Sequence, residues 1–189
     1  MSKSIKKKAI LKSAESLFYN HGFHAVGIKK ITEDANVAGM TVYNHFTSKE
    51  HLIEEVLKQC ESQYWSYLSS SVEKKPETPF LQVVKGHGIW MNEKGKNGCM
   101  FLRALEEYAD INNQIELIVR NHKNDLFQYF RNLALETGYT LGDEIASQTM
   151  FLLEGATSMA EIVGPEKAES HAIYMLKSLL KTWKTMYKK

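Results

Sequence analysis

Cysteine, proline, arginine and long apolar runs are all scarce in this sequence of 189 residues. With two cysteines the chain has no disulfide framework, and we expect Cys60 and Cys99 to be buried free thiols. No apolar run reaches the roughly 20 residues that span a bilayer, and no secretory segment opens the chain. Because 43% of the residues are hydrophobic and 24% are charged, a disordered chain is excluded. We therefore expect a folded protein of the cytoplasm without a membrane partner.

Strand-like segments are also missing. No short stretch alternates apolar and polar residues, whereas apolar residues recur at helical spacing along nearly the whole chain. We predict an all-α protein with an N-terminal three-helix domain at residues 1–50, a connecting helix at 48–72 and a C-terminal helical domain at 76–189. The boundary falls at Pro76 and Pro79, since prolines at this spacing end one helix and start another. The first predicted helix ends near Gly22, and the others cover residues 28–35, 38–46, 48–72, 80–94, 99–109, 112–137, 141–163 and 166–187.

Positive charge is concentrated near the N-terminus. Residues 1–50 contain 8 lysines and 4 acidic residues, whereas the remainder contains 16 basic and 18 acidic residues. A basic segment on a nearly neutral body is typical of a nucleic-acid-binding protein. The net charge is only +2, however, and many soluble domains show a similar imbalance. Charge alone therefore decides little about the partner.

The short helices predicted at 28–35 and 38–46 have the dimensions of a helix-turn-helix. In that motif the N-terminal residues of the second helix face base edges in the major groove. Gly39 permits a close approach, and the methyl groups of Thr41 and Val42 are expected to contact thymine methyl groups. The alternative is a small helical hairpin that packs only on its neighbours. The predicted DNA-contacting residues are Lys29, Lys30, Gly39, Met40, Thr41, Val42, Tyr43, His45 and Lys49.

Three residues flanking the second short helix carry local signals of their own. Asn36 is placed to adopt the left-handed conformation that glycine usually supplies. Thr47, three residues before Glu50, predicts a capping box at the start of the connecting helix. Lys49, in the first turn of that helix, adds a positive charge where free backbone N–H groups already favour an anion.

Residues 9–57 resemble the DNA-binding domain of the TetR family of transcriptional regulators. The matching residues are Ile10, Leu11, Leu17, Phe18, Gly22, Phe23, Ile31, Val37, the run Thr41-Val42-Tyr43-Asn44-His45-Phe46, the run Ser48-Lys49-Glu50 and Leu52. The resemblance implies a homodimer that binds a palindromic double-stranded DNA operator, commonly as a repressor, and leaves it when a small molecule binds the C-terminal domain. It also implies packing roles for Val37 and Phe46, and DNA contacts for Thr41, Tyr43, His45 and Lys49.

Four residues depart from the family pattern. Gly27 stands where the family usually has Ser or Thr, so one helix cap and its phosphate contact are lost. Ala38 and Met40 replace a common Ser and Gly, and Asn36 replaces a Gly. These differences concern operator contacts rather than the fold.

Residues 1–102 contain no arginine. The commonest direct contact with guanine is a bidentate arginine at its O6 and N7 atoms, which this domain cannot make. We therefore predict a half-site recognised mainly through A·T pairs and thymine methyl groups, with lysines contacting phosphates. The alternatives are that Lys29 or Lys30 contacts a guanine, or that lysine simply reflects genomic composition.

The C-terminal domain carries weaker signals. Residues 98–102, 105–108 and 151–156 resemble one branch of the same family, which implies a largely apolar, unidentified effector bound between the middle helices. Glu154 is informative because a carboxylate in an apolar run is costly to bury unpaired, and a cationic ligand, a partner subunit or solvent are its alternatives. Plain core packing is the alternative for each aromatic residue and methionine. The predicted ligand-binding residues are His87, Trp90, Met91, Cys99, Phe101, Leu105, Phe127, Phe130, Met150 and Glu154.

The last two helices are predicted to form the homodimer interface. Two recognition helices must be linked to reach palindromic half-sites roughly 34–36 Å apart. One helix carries a large apolar stripe and the other carries small residues that allow close approach, although an intramolecular core is the alternative. The predicted interface residues are Gly155, Ala156, Ala160, Leu176, Leu179, Leu180, Trp183 and Tyr187.

Nothing in the sequence favours an enzyme. The seven histidines form no metal-ligand pattern, and the loop at residues 95–98 is too short to bind a phosphate group. Cys99 and His87 lack a third residue that would orient a nucleophile pair. We predict no catalytic residue, no metal site and no cofactor. A small helical enzyme is a remote alternative, and a DNA-binding dimer whose C-terminal domain senses no ligand is a nearer one.

Overall fold

The structure is a computed structural model that describes residues 3–95 and 97–188, with residues 3 and 4 described by their backbone alone; Lys96, in the loop discussed above, lies outside the described residues. Within them one isolated antiparallel bridge joins Tyr139 and Lys188, and no longer strand occurs. None of the helices described combines the length and apolarity that a bilayer crossing requires. The predicted all-α fold is confirmed. The helices in this part of the chain are α1 (Lys3–His21), α2 (Ile28–Asp34), α3 (Gly39–Tyr43), α4 (Lys49–Lys74), α5 (Pro79–Glu93), α6 (Met100–Tyr108), α7 (Asn113–Glu136), α8 (Gly142–Val163) and α9 (Pro165–Met186).

A glycine ends the first helix, and a hydroxyl group caps the start of the fourth. Gly22, with φ of 83°, follows α1 in the left-handed conformation that glycine adopts without strain. At the start of α4 the Ser48 hydroxyl accepts a hydrogen bond from the His51 N–H at 3.0 Å. The Thr47 hydroxyl instead lies 3.1 Å from His51 Nδ1. Ser48, rather than the predicted Thr47, therefore caps this helix.

The chain divides into two compact units, each built from two segments of the sequence. Unit 1 comprises residues 1–62 and 100–120, and unit 2 comprises residues 63–99 and 121–189. Helices α4 and α7 each supply residues to both units. The division differs from the boundary predicted at the prolines, because α6 and the start of α7 group with the N-terminal helices.

The core of unit 1 fixes the positions of α2 and α3. Helix α1 packs against both, and Phe18, Ile31, Val42 and Phe46 are at most 1% exposed. The ring of Phe18 lies 5.1 Å from that of Phe23, which extends the core beyond the end of α1. Burial of these side chains holds α3 against the unit by the face that carries Val42.

The core of unit 2 is centred on Trp183, which is fully buried. Its indole N–H donates a hydrogen bond of 2.7 Å to the Gln148 side chain, so its polar edge has a partner. The rings of Phe80 and Tyr139 contact it edge-on, with centroids 5.2 and 6.1 Å away. Around this residue α9 packs against α5 and α8.

Candidate functional site

Helices α2 and α3 are joined by a tight turn that fixes their angle. The Asn36 N–H donates to the Glu33 carbonyl at 3.2 Å, and the Val37 N–H donates to the Thr32 carbonyl at 3.0 Å. Asn36 adopts a left-handed conformation with φ of 50°, as predicted. An asparagine tolerates this conformation because its short polar side chain hydrogen-bonds locally. The turn therefore forms without the glycine that the family usually has there.

The outer face of α3 exposes side chains that are unusual for a solvated helix. Met40 is 71% exposed and Tyr43 is 54% exposed, while Thr41 and His45 are half-buried beside them. A Cβ atom added at Gly39 would meet no atom within 4 Å, so the start of the helix is open. An exposed methionine and tyrosine on so short a helix are typical of a surface that contacts a partner.

Val42 does not belong to this surface. Its side chain is 1% exposed and lies in the core of unit 1 with Phe46, one helical turn later. The predicted contact between Val42 and a thymine methyl group is therefore wrong. Its burial instead anchors the helix that carries Met40, Thr41 and Tyr43.

The lysines near the motif differ in their surroundings. Lys29 is fully accessible, with a side chain 90% exposed, and its ammonium lies 4.0 Å from a Glu33 carboxylate oxygen. Such an exposed pair contributes little to stability, so a phosphate can replace the carboxylate. Lys30 is also exposed. Partial burial lowers the pKa of Lys49, although the carboxylates of Glu50 and Glu107 oppose that shift.

Residues 1–102 contain no arginine, but residues 100–120 also belong to unit 1 and contain Arg103 and Arg120. Both guanidinium groups have partners within the unit. Arg103 donates a hydrogen bond to the Tyr19 carbonyl and lies over the Tyr19 ring. Arg120 donates to a Glu116 carboxylate oxygen at 2.7 Å. Neither arginine belongs to α2, α3 or the turn between them.

Glu107 of α6 holds the turn that follows α1, and sequence reasoning missed this contact. Its carboxylate accepts hydrogen bonds from the Phe23 N–H at 2.9 Å and from the His24 N–H at 2.5 Å. A Cβ atom at Gly22 would lie 2.9 Å from a Glu107 oxygen, so a larger residue would displace the carboxylate from this contact in addition to straining the backbone. We call this contact the Glu107 clasp.

The side chain of His24 adds a second contact to the Glu107 clasp, with the backbone of Glu107 rather than its carboxylate. Its Nε2 atom lies 2.7 Å from the Glu107 carbonyl, and its ring stacks on Tyr108 at 4.8 Å. Burial, together with the nearby carboxylates of Glu50 and Glu107, raises the pKa of Tyr108 to about 12. The residues of the clasp are more than eighty positions apart in sequence, so no local pattern marks the pairing.

A chain of hydrogen bonds crosses the interior of unit 2. The Thr157 hydroxyl donates to the Leu153 carbonyl at 2.9 Å. It lies 2.9 Å from His87 Nε2 and therefore accepts a hydrogen bond from the N–H at that position. His87 Nδ1 is then free to accept the Tyr64 hydroxyl at 2.8 Å. Burial, with a smaller effect of the Lys123 charge, lowers the pKa of His87 to about 4. His87 is therefore a neutral, fully hydrogen-bonded group near pH 7.

The partner of Glu154 is Lys123, a residue that the sequence did not indicate. The Lys123 ammonium donates to a Glu154 carboxylate oxygen and lies 3.5 Å from the Cys99 sulfur. Burial by itself would lower the pKa of Lys123, but the Cys99 sulfur and the Glu154 carboxylate together raise it. The alternatives predicted for Glu154 did not include this internal ion pair, and its side chain is also 31% exposed to solvent.

The other predicted ligand-binding residues are not all brought together. Met91 and Phe130 are fully buried in the core of unit 2, whereas Trp90, Phe127 and Met150 are half-buried against it. Phe101 and Leu105 lie on α6 and belong to unit 1. In the described part of the chain no three histidine, cysteine or carboxylate side chains are placed to hold a metal ion.

Helices α8 and α9 enclose an apolar groove of 450 Å³ on the surface of unit 2. Large apolar side chains that line it are exposed: Phe151 by 80%, Met175 by 55% and Met159 by 45%. The predicted interface residues Gly155 and Ala156 line the groove.

The remaining predicted interface residues face the interior. Ala160, Leu176 and Trp183 are at most 3% exposed, and we correct their assignment because their side chains form the core of unit 2. Leu179, Leu180 and Tyr187 are half-buried against the same core. The exposed face of α9 carries Tyr174 and Met175 instead.

Known proteins share both the sequence pattern and the fold. Residues 10–56 match the family described as "Bacterial regulatory proteins, tetR family". The uncharacterised HTH-type transcriptional regulator YvkB of Bacillus subtilis is 36% identical over 151 residues, covering 75% of this chain and 70% of that protein. KstR2, an HTH-type transcriptional repressor of Mycolicibacterium smegmatis, is 32% identical over 86 residues, 46% of this chain and 40% of that one. The TetR-family regulator SCO4454 of Streptomyces coelicolor superposes with a TM-score of 0.88 at 25% identity, over 95% of this chain and 96% of that chain. The chain therefore belongs to the TetR family of DNA-binding transcriptional regulators.

Proposed function

We propose that two copies of this chain form a dimer that binds a palindromic operator in the cytoplasm and represses transcription until a small molecule releases it. The observation that supports the DNA contact is the face of α3, where Met40 and Tyr43 are exposed while Val42 anchors the helix from behind. Repression is supported by the similarity to KstR2, whose name describes a repressor.

The groove between α8 and α9 supports the dimer. The apolar groove is lined by the exposed side chains of Phe151, Met159 and Met175. An exposed apolar patch of this kind is typical of a surface that another protein chain covers. In a dimer with two-fold symmetry, the groove of one copy packs against the same groove of the second copy, so both are buried. A dimer supplies the two α3 helices that a palindrome with half-sites one helical turn apart requires.

Recognition of the half-site is proposed to rest on A·T pairs. The Thr41 methyl group and the exposed Met40 side chain are the apolar groups that α3 presents to thymine methyl groups. Lys29 and Lys30 supply phosphate contacts, and Lys49 supplies another from the start of α4. Neither arginine of unit 1 belongs to α2, α3 or the turn between them, so guanine contacts of the usual bidentate kind are not expected.

The interior of unit 2 supports a ligand-responsive role. The buried His87 and the partly buried Lys123–Glu154 ion pair add little stability compared with apolar residues of the same size. Their presence is therefore better explained by a ligand that exchanges hydrogen bonds with them. A dimer that senses no ligand remains the second candidate, and thermal-shift screening with lipophilic compounds separates the two, because a ligand raises the melting temperature with its occupancy.

Selection of bound duplexes from random DNA tests the operator. We expect a palindrome whose half-sites are A·T-rich and about one helical turn apart. Thr41→Ala should relax the preference at one base position, whereas Lys29→Ala, the matched control, should weaken binding to all duplexes alike. A protein that stays monomeric and retains no duplex at low salt would overturn the proposal.

A further inference from the structure

We propose that His51 is a positioning residue for DNA binding, which holds the turn between α3 and α4 through a neutral imidazole. This role goes beyond the proposed operator contacts but rests on them, because the turn joins α3 to Lys49 at the start of α4. The observation that carries it is a ring nitrogen of His51 that accepts a backbone hydrogen bond from the turn.

The backbone and the side chain of His51 each hold one residue of this turn. Its N–H donates to the Ser48 hydroxyl at 3.0 Å, and its Nδ1 atom accepts the Thr47 N–H at 3.1 Å. Reciprocal bonds of this kind form a capping box, in which the side chain at the third helical position is usually glutamate or glutamine. His51 is the third residue of α4, and its imidazole reaches back to the residue before the cap.

The contact with Thr47 determines which form of the ring is needed. A backbone N–H only donates, so Nδ1 is unprotonated and the proton of the neutral ring lies on Nε2. The Thr47 hydroxyl, also 3.1 Å from Nδ1, can donate or accept. An imidazolium therefore keeps the hydroxyl as an acceptor but loses the Thr47 N–H. Protonation of His51 releases the backbone of the turn.

Packing connects His51 to the residues that follow α3. Its ring contacts that of Phe46 edge-on, with centroids 5.9 Å apart, and Phe46 is 1% exposed. The Phe46 N–H donates to the Val42 carbonyl at 2.8 Å, so Phe46 continues directly from α3. The imidazole thus contacts both the segment that leaves α3 and the turn that enters α4. Loss of its hydrogen bond to Thr47 loosens the connection between the two helices.

A neutral acceptor serves DNA binding better here than the usual glutamate. A carboxylate in the first turn of a helix favours stability, because it faces free backbone N–H groups. At this position it would add a second negative charge to that of Glu50, beside Lys49, and would repel a DNA phosphate. A neutral imidazole closes the turn without this repulsion. The choice of histidine is therefore explained by DNA binding rather than by stability.

The charged groups around His51 come from several elements. Lys7 of α1 lies over the Phe46 ring, 5.6 Å from its centroid, and pairs with Glu55, one turn after His51, at 3.1 Å. The carboxylate of Glu107, on α6, interacts electrostatically with Lys49. The titratable and charged groups of this region are Lys7, His45, Lys49, Glu50, Glu54, Glu55 and Glu107. Because His45 is a second imidazole beside the turn, the test must compare variants at each pH.

Affinity for the selected duplex, measured by fluorescence anisotropy, tests this role in two variants. At about pH 8, His51→Ala should bind roughly fivefold more weakly than the native protein, the factor that the loss of a capping side chain corresponds to. His51→Gln should restore most of the affinity, because an amide oxygen accepts the same N–H. At about pH 5.5, where imidazoles are ordinarily protonated, the native protein should lose its advantage over His51→Ala, whereas His51→Gln should keep it.

His21→Gln is the matched control, since His21 is an exposed histidine at the end of α1 and lies outside the turn. Its affinity should follow that of the native protein at every pH, and circular dichroism identifies any variant that fails to fold. Identical pH profiles for the native protein and His51→Gln would overturn the role. A native affinity that rises relative to His51→Gln on acidification would also overturn it, because the imidazolium would then attract phosphate rather than release the turn.

A measurement without DNA separates this role from the proposed function. Nitrogen NMR of the free protein at the higher pH should show a neutral His51 ring with its proton on Nε2, and a proton on Nδ1 would contradict the hydrogen bond from Thr47. If a duplex is selected but the native and His51→Gln profiles coincide, only the positioning role fails. If no duplex is ever selected, the proposed function fails and the positioning role fails with it, whatever the tautomer.

Discussion

The Glu107 clasp should contribute more to the stability of unit 1 than any neighbouring surface carboxylate. Glu107→Ala removes an acceptor for the backbone N–H groups of Phe23 and His24, which lie 2.9 and 2.5 Å away. Hydrogen bonds to a charged group contribute about 1.5–3 kcal/mol each, and the His24 bond is solvent-exposed, so the lower end applies. We expect a total loss of about 3 kcal/mol.

Urea unfolding followed by circular dichroism measures this loss, and calorimetry should show a melting temperature lower by roughly 6–12 °C for a chain of this size. Glu106→Ala is the matched control, since Glu106 is exposed on the same helix and should change stability by less than about 0.5 kcal/mol. Glu107→Gln keeps one acceptor oxygen and should fall between the two.

The Glu107 clasp also positions the segment that leads into α2, so operator affinity is a second measurement. Glu107→Ala should weaken binding to the selected duplex at a temperature where the variant is still folded, while Glu106→Ala should not. Equal stability of the two alanine variants would show that water satisfies the Phe23 and His24 N–H groups as well as the carboxylate does, and the reasoning would be refuted.

Three further perturbations test other parts of the structure. Lys49→Ala should lower the salt dependence of DNA binding by about one unit, measured as the slope of log affinity against log salt, and an unchanged slope would exclude a phosphate contact. Phe151→Glu, which places a charge in the groove between α8 and α9, should convert the dimer to a monomer in sedimentation experiments; an intact dimer would locate the interface elsewhere. His87 has a folded-state pKa of about 4, below its ordinary value of 6.5, so the unfolded state binds its proton first as the pH falls. Stability should therefore drop between pH 6.5 and 4, by up to about 3 kcal/mol, and the drop should be smaller in His87→Gln when urea midpoints are compared across that range.

The DNA-binding motif was predictable because its signals are local. Gly22 and Asn36 both adopt the positive φ angles that their positions in the sequence predict. Phe46, predicted as a packing residue, lies four residues after Val42, and residues at this spacing share one face of a helix. The burial of Val42 was therefore available from the sequence, and the error came from treating Thr41 and Val42 as neighbours on one surface.

The contacts that complete the sites were not predictable, because they join residues distant in sequence. The pairing of Lys123 with Glu154 connects α7 to α8, and the pairing of Glu107 with His24 connects α6 to the end of α1. The periodicity of apolar residues predicts the helix face on which a side chain lies, but it does not predict which other helix packs against that face. For the same reason an apolar stripe on α9 predicted an interface, whereas Trp183 in that stripe packs inside unit 2.

The charge balance inside unit 2 also limits which compounds could act as the proposed effector. Burial lowers the pKa of His122 to about 3 and that of His87 to about 4, so both are neutral, and the Lys123 charge is already shared by Glu154 and Cys99. A cationic ligand that took Glu154 would leave a buried ammonium without its partner, which costs several kcal/mol. A neutral ligand with hydrogen-bonding groups avoids this cost.

We therefore expect neutral compounds to raise the melting temperature more than cationic analogues with the same apolar body. Thermal-shift measurements on matched pairs, an amide against the corresponding amine, provide the comparison. Glu154→Gln is the informative variant, because it removes the negative charge that pairs with Lys123. We expect it to reduce the affinity for neutral ligands only slightly. A consistent preference for the amines in the unmodified protein would show that Glu154 is available to a cation and that the charge balance described above does not control the site.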